Sequence, residues 1–383
     1  MDDIFTLRAI SPDSMSNPAT IILAGGGTGG HLYPGIAVAE QLRGVLPDAL
    51  PVFLCTVREI DRVILEPTGF EFIPQPIVPP KLADVLKFFR TYRDTRDLVN
   101  RVLSDRKPAA VVGLGGYAAG IAVKFAARRK IPTAILNPDM IPGKANQYLM
   151  RYSRVICCQF EQSRKLIPSE HRAKMRVTGC PIRKDILRFP PREEAARRLD
   201  IDPRLHTLVV TGASLGALTI NEAMLALAGT ITLNGWQILH LAGRDHGERV
   251  RGGYREKNIP ARVIDFTADM ADVWAVADLA LSRSGASSCA ELTACGVPSI
   301  LMPYPFHKDL HQRANAKVLA DAGAAVLMDD EKDPRKNAEK LRPILESLLY
   351  DVSFRKQLSE AAKKLGRPSA ASAVAEAVRE LLK

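Results

Sequence analysis

Ile21-Ile-Leu-Ala-Gly-Gly-Gly-Thr-Gly-Gly-His-Leu-Tyr-Pro34 begins as an apolar strand and passes straight into a glycine loop, with a histidine where a helix would start. A continuous apolar run of this kind suits a strand buried on both faces, and glycines let the backbone approach a charged group closely. The helix that follows would offer unpaired N–H groups with positive dipole character. His31 is the one side chain of the loop able to carry a proton near neutral pH. The segment therefore predicts chemistry beside a phosphate or a sugar, with a purely structural turn as the plainer alternative.

Working outward, short β-branched runs alternate with helical patterns over nearly the whole chain, the signature of parallel βαβ units. In the first half strands are expected at 21–24, 52–55, 110–113, 133–136 and 155–158, with helices such as 34–46 and 118–128 between them. The pattern restarts at Thr207-Leu-Val-Val-Thr-Gly-Ala-Ser-Leu-Gly216, where Gly216 would open a helix. Further strands are expected at 238–242, 263–266, 279–282, 299–302 and 325–328. This is an α/β chain with two open, doubly wound parallel sheets. In such sheets ligands bind at the carboxyl ends of the strands, so two facing sheets would form a cleft. The turn chemistry around Thr178-Gly-Cys-Pro181 marks the junction.

The 383 residues exceed what one hydrophobic core usually serves, which agrees with two domains. A net charge of +11 favours an anionic partner, while only 6% aromatics and no basic-aromatic array speak against a nucleic-acid surface. The six cysteines show no C-x-x-C spacing and read as reduced and mostly buried, as in a cytoplasmic protein. The stretch from Met1 to Thr20 has no basic n-region followed by an apolar core, so a signal peptide is not expected, and no apolar run reaches the ~20 residues of a membrane span.

Several motifs carry chemistry, each with a plainer reading beside it. Gly25, Gly27 and Gly30 satisfy G-x-G-x-x-G, which admits a nicotinamide enzyme, but the second strand ends Leu54-Cys55-Thr56 without the acid that would hold a ribose. Gly113-Leu-Gly-Gly-Tyr117 could present N–H groups to a diphosphate or be a tight turn. Gly212-Ala-Ser-Leu-Gly-Ala217 is a candidate phosphate cradle at a helix start. Glu291, one to two turns into the helix after Arg283-Ser-Gly-Ala286, could accept both hydroxyls of a ribose or simply complement the helix dipole. The loop from Tyr304 to Gln312, with Asn315, collects the donors and acceptors that sugars require. Leu82, Leu86, Phe88 and Phe89, among Lys81, Lys87, Arg90 and Arg93, would suit a helix lying on anionic lipid or one packed on the core.

Taken in order, Gly25–His31, Gly113–Tyr117, Ile141-Pro-Gly-Lys-Ala-Asn146, Val177-Thr-Gly-Cys-Pro-Ile-Arg183, Gly212–Ala217 and the block from Phe266 to Asn315 resemble the MurG family, glycosyltransferase family 28. The resemblance runs from about Thr20 to the C-terminus. It implies a GT-B fold of two Rossmann-like domains facing across a cleft: an extension at 1–19, an acceptor domain at 20–182, a UDP-sugar domain at 183–368, and a last helix at 369–383 packing back on the first domain. It further implies inverting transfer of GlcNAc from UDP-GlcNAc to an undecaprenyl-pyrophosphoryl muramyl pentapeptide, at the cytoplasmic face of the bacterial inner membrane. Neither a metal nor a cofactor is expected.

Carried over by position, Arg183, Ser214, Leu215 and Gly216 would meet the donor diphosphate. Phe266 and Thr267 would lie beside uracil, Glu291 on the ribose, and His311 and Gln312 on GlcNAc. His31 is the expected base, with Asp139 as the second candidate. Gly27, Thr28, Gly29, Gly30, Gly115, Gly116, Tyr117 and Asn146 would serve the acceptor. Leu136-Asn-Pro-Asp-Met140 departs from the family's usual His-Glu-Gln-Asn, as do Leu215 and Cys180 from a glutamine and an asparagine. A transferase with another lipid acceptor, or a UDP-sugar-binding protein without catalysis, therefore stands beside the main reading.

Overall fold

The computed structural model describes residues 19–79, 85–212, 216–306 and 309–383; Leu82, Ser214 and Leu215 lie outside them. Strands β1 (Ala19–Ala24), β2 (Ala49–Thr56), β3 (Glu71–Gln75), β4 (Ala110–Gly113), β5 (Thr133–Asn137), β6 (Val155–Cys158) and β7 (Met175–Val177) form one parallel sheet in the order β3-β2-β1-β4-β5-β6-β7. Strands β8 (His206–Thr211), β9 (Trp236–Leu241), β10 (Ala261–Ile264), β11 (Leu279–Ser282), β12 (Ser299–Leu301) and β13 (Val326–Leu327) form a second, ordered β10-β9-β8-β11-β12-β13. Each sheet thus reverses direction beside its first strand, between β1 and β4 and between β8 and β11. A doubly wound sheet opens a ligand crevice at that point.

Every expected strand forms, with ends shifted by at most three residues, and β3 and β7 are additional. Both are edge strands, where alternation with polar residues and even Pro74 are tolerated because one side of the backbone has no ladder to complete. The central strands carry continuous apolar runs because helices cover both faces. On the first sheet, α1 (Gly29–Val45) packs with Ile21, Leu23 and Phe53 on one face. On the other face α3 (Val85–Arg106) and α4 (Ala119–Arg128) pack with Ile22, Val111 and Ile135.

The second sheet is covered on one face by α7 (Leu218–Leu227), α8 (Gly247–Glu256) and α12 (Pro334–Tyr350). Its other face carries α9 (Met270–Val276), α10 (Ala286–Cys295) and α11 (His311–Asp321). A buried ion pair ties its strand ends together: Arg283 Nη1 donates to Asp330 Oδ2 at 2.8 Å and to the Met302 and Pro303 carbonyls at 2.9 and 3.0 Å.

The chain crosses twice between the two sheets. The first crossing follows β7. At the second, α14 (Ala370–Glu380) leaves the second sheet and packs on α1, with Val374, Ala375, Ala377 and Val378 inside the first core. Ser372 Oγ donates to Gln41 Oε1 at 3.0 Å across that contact. The crossings meet at Gly179, whose φ of +89° and proximity to Arg367 and Ala370 leave no space for a Cβ.

Candidate active site between the two sheets

The carboxyl ends of the central strands of both sheets face one cavity of about 630 Å³. From the first sheet the end of the loop after β1 and the first turn of α1 contribute Thr28, Gly29, Gly30 and His31, and the loop after β4 contributes Gly115 and Gly116. These are neighbours because β1 and β4 are paired on either side of the switch. The His31 ring lies on the backbone of Gly115 and Gly116, where any Cβ would strike it at about 3.0 Å. Thr28, which starts α1, holds its Oγ1 3.2 Å from His31 Nδ1. Burial keeps the His31 ring below the ordinary histidine range, opposed by the Gly26 carbonyl and by the charges of Asp139 and Asp61. A neutral imidazole at neutral pH is the form that accepts a proton.

From the second sheet, Phe266, Thr267, Glu291, His311 and Gln312 line the same cavity, and Arg183 enters from the first crossing. Arg183 Nη2 donates to the Ala268 carbonyl at 2.9 Å, and its guanidinium lies 4.9 Å from the centre of the Tyr33 ring. It thus touches both halves of the molecule. Glu291 accepts from Trp274 Nε1 at 2.9 Å, and burial pushes its carboxyl up to about 7 despite that bond and the charge of Arg183. Its Oε1 makes no hydrogen bond among the described residues. Gln312 Oε1 accepts from the Tyr304 N–H at 2.9 Å, which fixes the amide and points its Nε2 elsewhere.

Asp139 joins the halves. Asn315 Nδ2 donates to its Oδ1 at 2.8 Å, and Asn315 Oδ1 accepts from the Met140 N–H at 2.8 Å. His311 Nδ1 stands 3.7 Å from the other Asp139 oxygen, and its Nε2 is 3.1 Å from Asp309. The hydrogen bond and charge of Asp139 hold the His311 ring above the usual histidine range. Asp139, expected as a second candidate base, has its carboxylate engaged in this contact between the sheets.

Other expected residues sit differently. The Gly27 N–H points away from the cavity and donates to both oxygens of Asp61, at 2.7 and 2.9 Å, so it is not offered to an acceptor. The Tyr117 hydroxyl stands behind Gly27 and outside the cavity lining. Asn146 lines the cavity while its Nδ2 serves the Leu136 carbonyl and Asn137 Oδ1, which leaves its Oδ1 without a partner. Gly216, at φ +73°, packs against the Ala242 carbonyl two residues before α7 begins at Leu218. Asp61, Trp274 and Asn315 belong to the site through the groups they hold. Among the described residues no cluster of three or more His, Cys, Asp or Glu is arranged to bind a metal.

The glycosyltransferase family 28 N-terminal domain matches residues 21–157, and the family's C-terminal domain matches residues 207–374. The chain belongs to glycosyltransferase family 28. It is 36% identical over 368 residues to the UDP-N-acetylglucosamine–N-acetylmuramyl-(pentapeptide) pyrophosphoryl-undecaprenol N-acetylglucosamine transferase of Thermodesulfovibrio yellowstonii, covering 95% of this chain and 99% of that one. It is 34% identical to the enzyme of the same name from Myxococcus xanthus, over 94% of this chain and 93% of the other.

Among solved structures, Acinetobacter baumannii MurG superposes with a TM-score of 0.73 at 26% identity, over 95% of this chain and all of that one. A UDP-GlcNAc 2-epimerase from Neisseria meningitidis shares the fold alone, at 16% identity and a TM-score of 0.68. The GT-B architecture of this family 28 transferase is therefore common to enzymes of different reactions, and its chemistry has to be read from the cavity.

Proposed function

We propose that the enzyme transfers GlcNAc from UDP-GlcNAc to the 4-hydroxyl of a polyprenyl-pyrophosphoryl muramyl pentapeptide, with inversion to a β linkage. The observation that carries this reading is that one cavity gathers His31 and two glycine loops from the first sheet with Glu291, Gln312 and Arg183 opposite. The names and extents of the family 28 relatives support the choice of donor and acceptor.

His31 takes the proton of the acceptor hydroxyl as its oxygen attacks the anomeric carbon. The bond from that carbon to the β-phosphate oxygen breaks, and UDP departs with the electron pair. Arg183 and the positive N-terminal end of the α7 dipole take up the charge that develops there, by preorganised dipoles and a cation rather than by a metal. Glu291 accepts the ribose hydroxyls, and Phe266, over which Arg244 is stacked at 4.9 Å, borders the uracil. Thr28–Gly30 and Gly115–Gly116 receive the acceptor pyrophosphate. Acceptor-dependent release of UDP from UDP-GlcNAc, with UDP-GalNAc and UDP-glucose as controls, tests the assignment. Release that needs no acceptor, or a preference for either control donor, contradicts it.

No helix among the described residues is long and apolar enough to cross a membrane. At the start of α3, Leu86 is 87% and Phe89 63% exposed, whereas Phe88 turns inward onto Tyr92 and the core. Membrane contact on the cytoplasmic face is thus assigned to Leu86 and Phe89, with Lys87, Arg90 and Arg93 toward anionic headgroups. Inserting two such side chains contributes about 3–6 kcal/mol. The double substitution Leu86→Ser, Phe89→Ser should reduce binding to vesicles of anionic phospholipid by about 100-fold or more while a short-chain, water-soluble acceptor is still used. Undiminished vesicle binding removes this face from the account.

A further inference from the structure

Asp61 lies in α2 (Glu59–Leu65), fully buried directly behind the first glycine loop. Its carboxylate accepts four hydrogen bonds: two from the Gly27 N–H, one from the Thr56 N–H at 2.7 Å and one from Thr56 Oγ1 at 2.8 Å. A Cβ on Gly26 would collide with it, so the loop rests on the carboxylate without an intervening side chain. Arg58 Nη1 donates to the Gly27 carbonyl at 2.8 Å, which fixes the next peptide from the same side.

Among the described residues no peptide bond is cis. The Gly26 carbonyl and the Gly27 N–H therefore belong to one planar trans amide and point in opposite directions. Asp61 holds the N–H end, and the carbonyl end stands against the His31 ring. A carboxylate on the donor end of an amide polarises it and strengthens the oxygen as an acceptor.

We propose that Asp61 is a positioning residue for His31, acting through the Gly26–Gly27 peptide to set the tautomer of the ring and strengthen it as a base. The logic is that of a carboxylate orienting a catalytic imidazole, with one amide interposed. It also explains why a buried anion lies beneath a loop meant for a pyrophosphate: the N–H it occupies is turned away from the ligand. The inference rests on His31 being the base. The charged and titratable groups around this ring and loop are Asp139 from the loop after β5, Asp61 and Arg58 from behind, Cys55 at the end of β2, and the Tyr117 hydroxyl.

The test is Asp61→Asn in the full chain, which keeps the volume and removes the charge. At saturating UDP-GlcNAc, kcat should fall about 10- to 100-fold with KM for the donor unchanged. The acid limb of the kcat profile should move down by about half a pH unit or more, because a negative charge near the ring is lost. The ¹⁵N resonances of the His31 ring should report an altered tautomer ratio and a matching downward shift of its titration. Thr56→Val, which removes one of the four bonds, should move the same quantities in the same direction by less, and serves should Asp61→Asn not fold. A loss of kcat with the His31 titration and the acid limb unmoved would mean a structural role only and overturn the proposal, as would unchanged kcat. If instead His31→Ala keeps full turnover, the base assignment fails, while the ring titration in Asp61→Asn separately decides whether the two residues are coupled.

Discussion

His31→Ala should lower kcat by about 10² to 10⁴-fold, the range in which a positioned general base contributes. Affinity for UDP-GlcNAc should stay within about twofold, because the ring lies against Gly115 and Gly116 of the first sheet, across the cavity from Glu291 and Gln312. Single-turnover transfer and calorimetric titration of the donor separate the two quantities. The pH profile adds a sign. Burial holds the ring below the ordinary histidine range, so kcat should stay on its plateau from alkaline pH down past neutrality and fall only below about 6.5. Turnover unchanged by the substitution would remove His31 from the mechanism, and Asp139→Asn would then be the informative variant.

Glu291→Gln should weaken UDP-GlcNAc binding by about 10- to 100-fold, since hydrogen bonds to a charged acceptor contribute roughly 1.5–3 kcal/mol. The wild-type dependence on pH follows from its environment. Burial raises the carboxyl to about 7, and the ionised form is the one that accepts both ribose hydroxyls. Affinity should therefore rise as pH increases through about 7, and binding at that pH should release on the order of half a proton. The glutamine variant should show neither effect. Calorimetry in buffers of different ionisation enthalpy reads the proton release directly, and UDP-GlcNAc is the appropriate ligand because its diphosphate has no titration of its own in this range. A pH-independent affinity in the wild type would place the ribose elsewhere.

The fold is legible because burial on both faces writes parallel strands as continuous apolar runs, and each first strand is followed directly by glycine. The edges of the first sheet carry a weaker signal: β3 and β7 contain Glu71, Pro74 and Arg176, which suit a strand with one free side. Most of the candidate site was legible too, because glycine loops at strand ends converge wherever a doubly wound sheet reverses.

The partners of those residues were harder to read. Asp61 lies five residues past Thr56, too far along to resemble a ribose-binding acid, and its four hydrogen bonds turn inward. That arrangement also speaks against the nicotinamide reading of Gly25, Gly27 and Gly30, since the Asp61 carboxylate is taken up by Gly27 and Thr56 and does not face a ribose. The bond between Asn315 and Asp139 spans 176 positions, and no local pattern signals it. Phe88 and Phe89 are indistinguishable by composition, and helical phase alone sends one inward.

The transfer itself offers the most direct measurement. Purified enzyme, UDP-GlcNAc labelled in the sugar and a polyprenyl-pyrophosphoryl muramyl pentapeptide should yield a lipid heavier by one N-acetylhexosamine, β-linked at the muramyl 4-hydroxyl, with one UDP for each product. Tight binding of the nucleotide sugar with no labelled lipid formed would contradict the account.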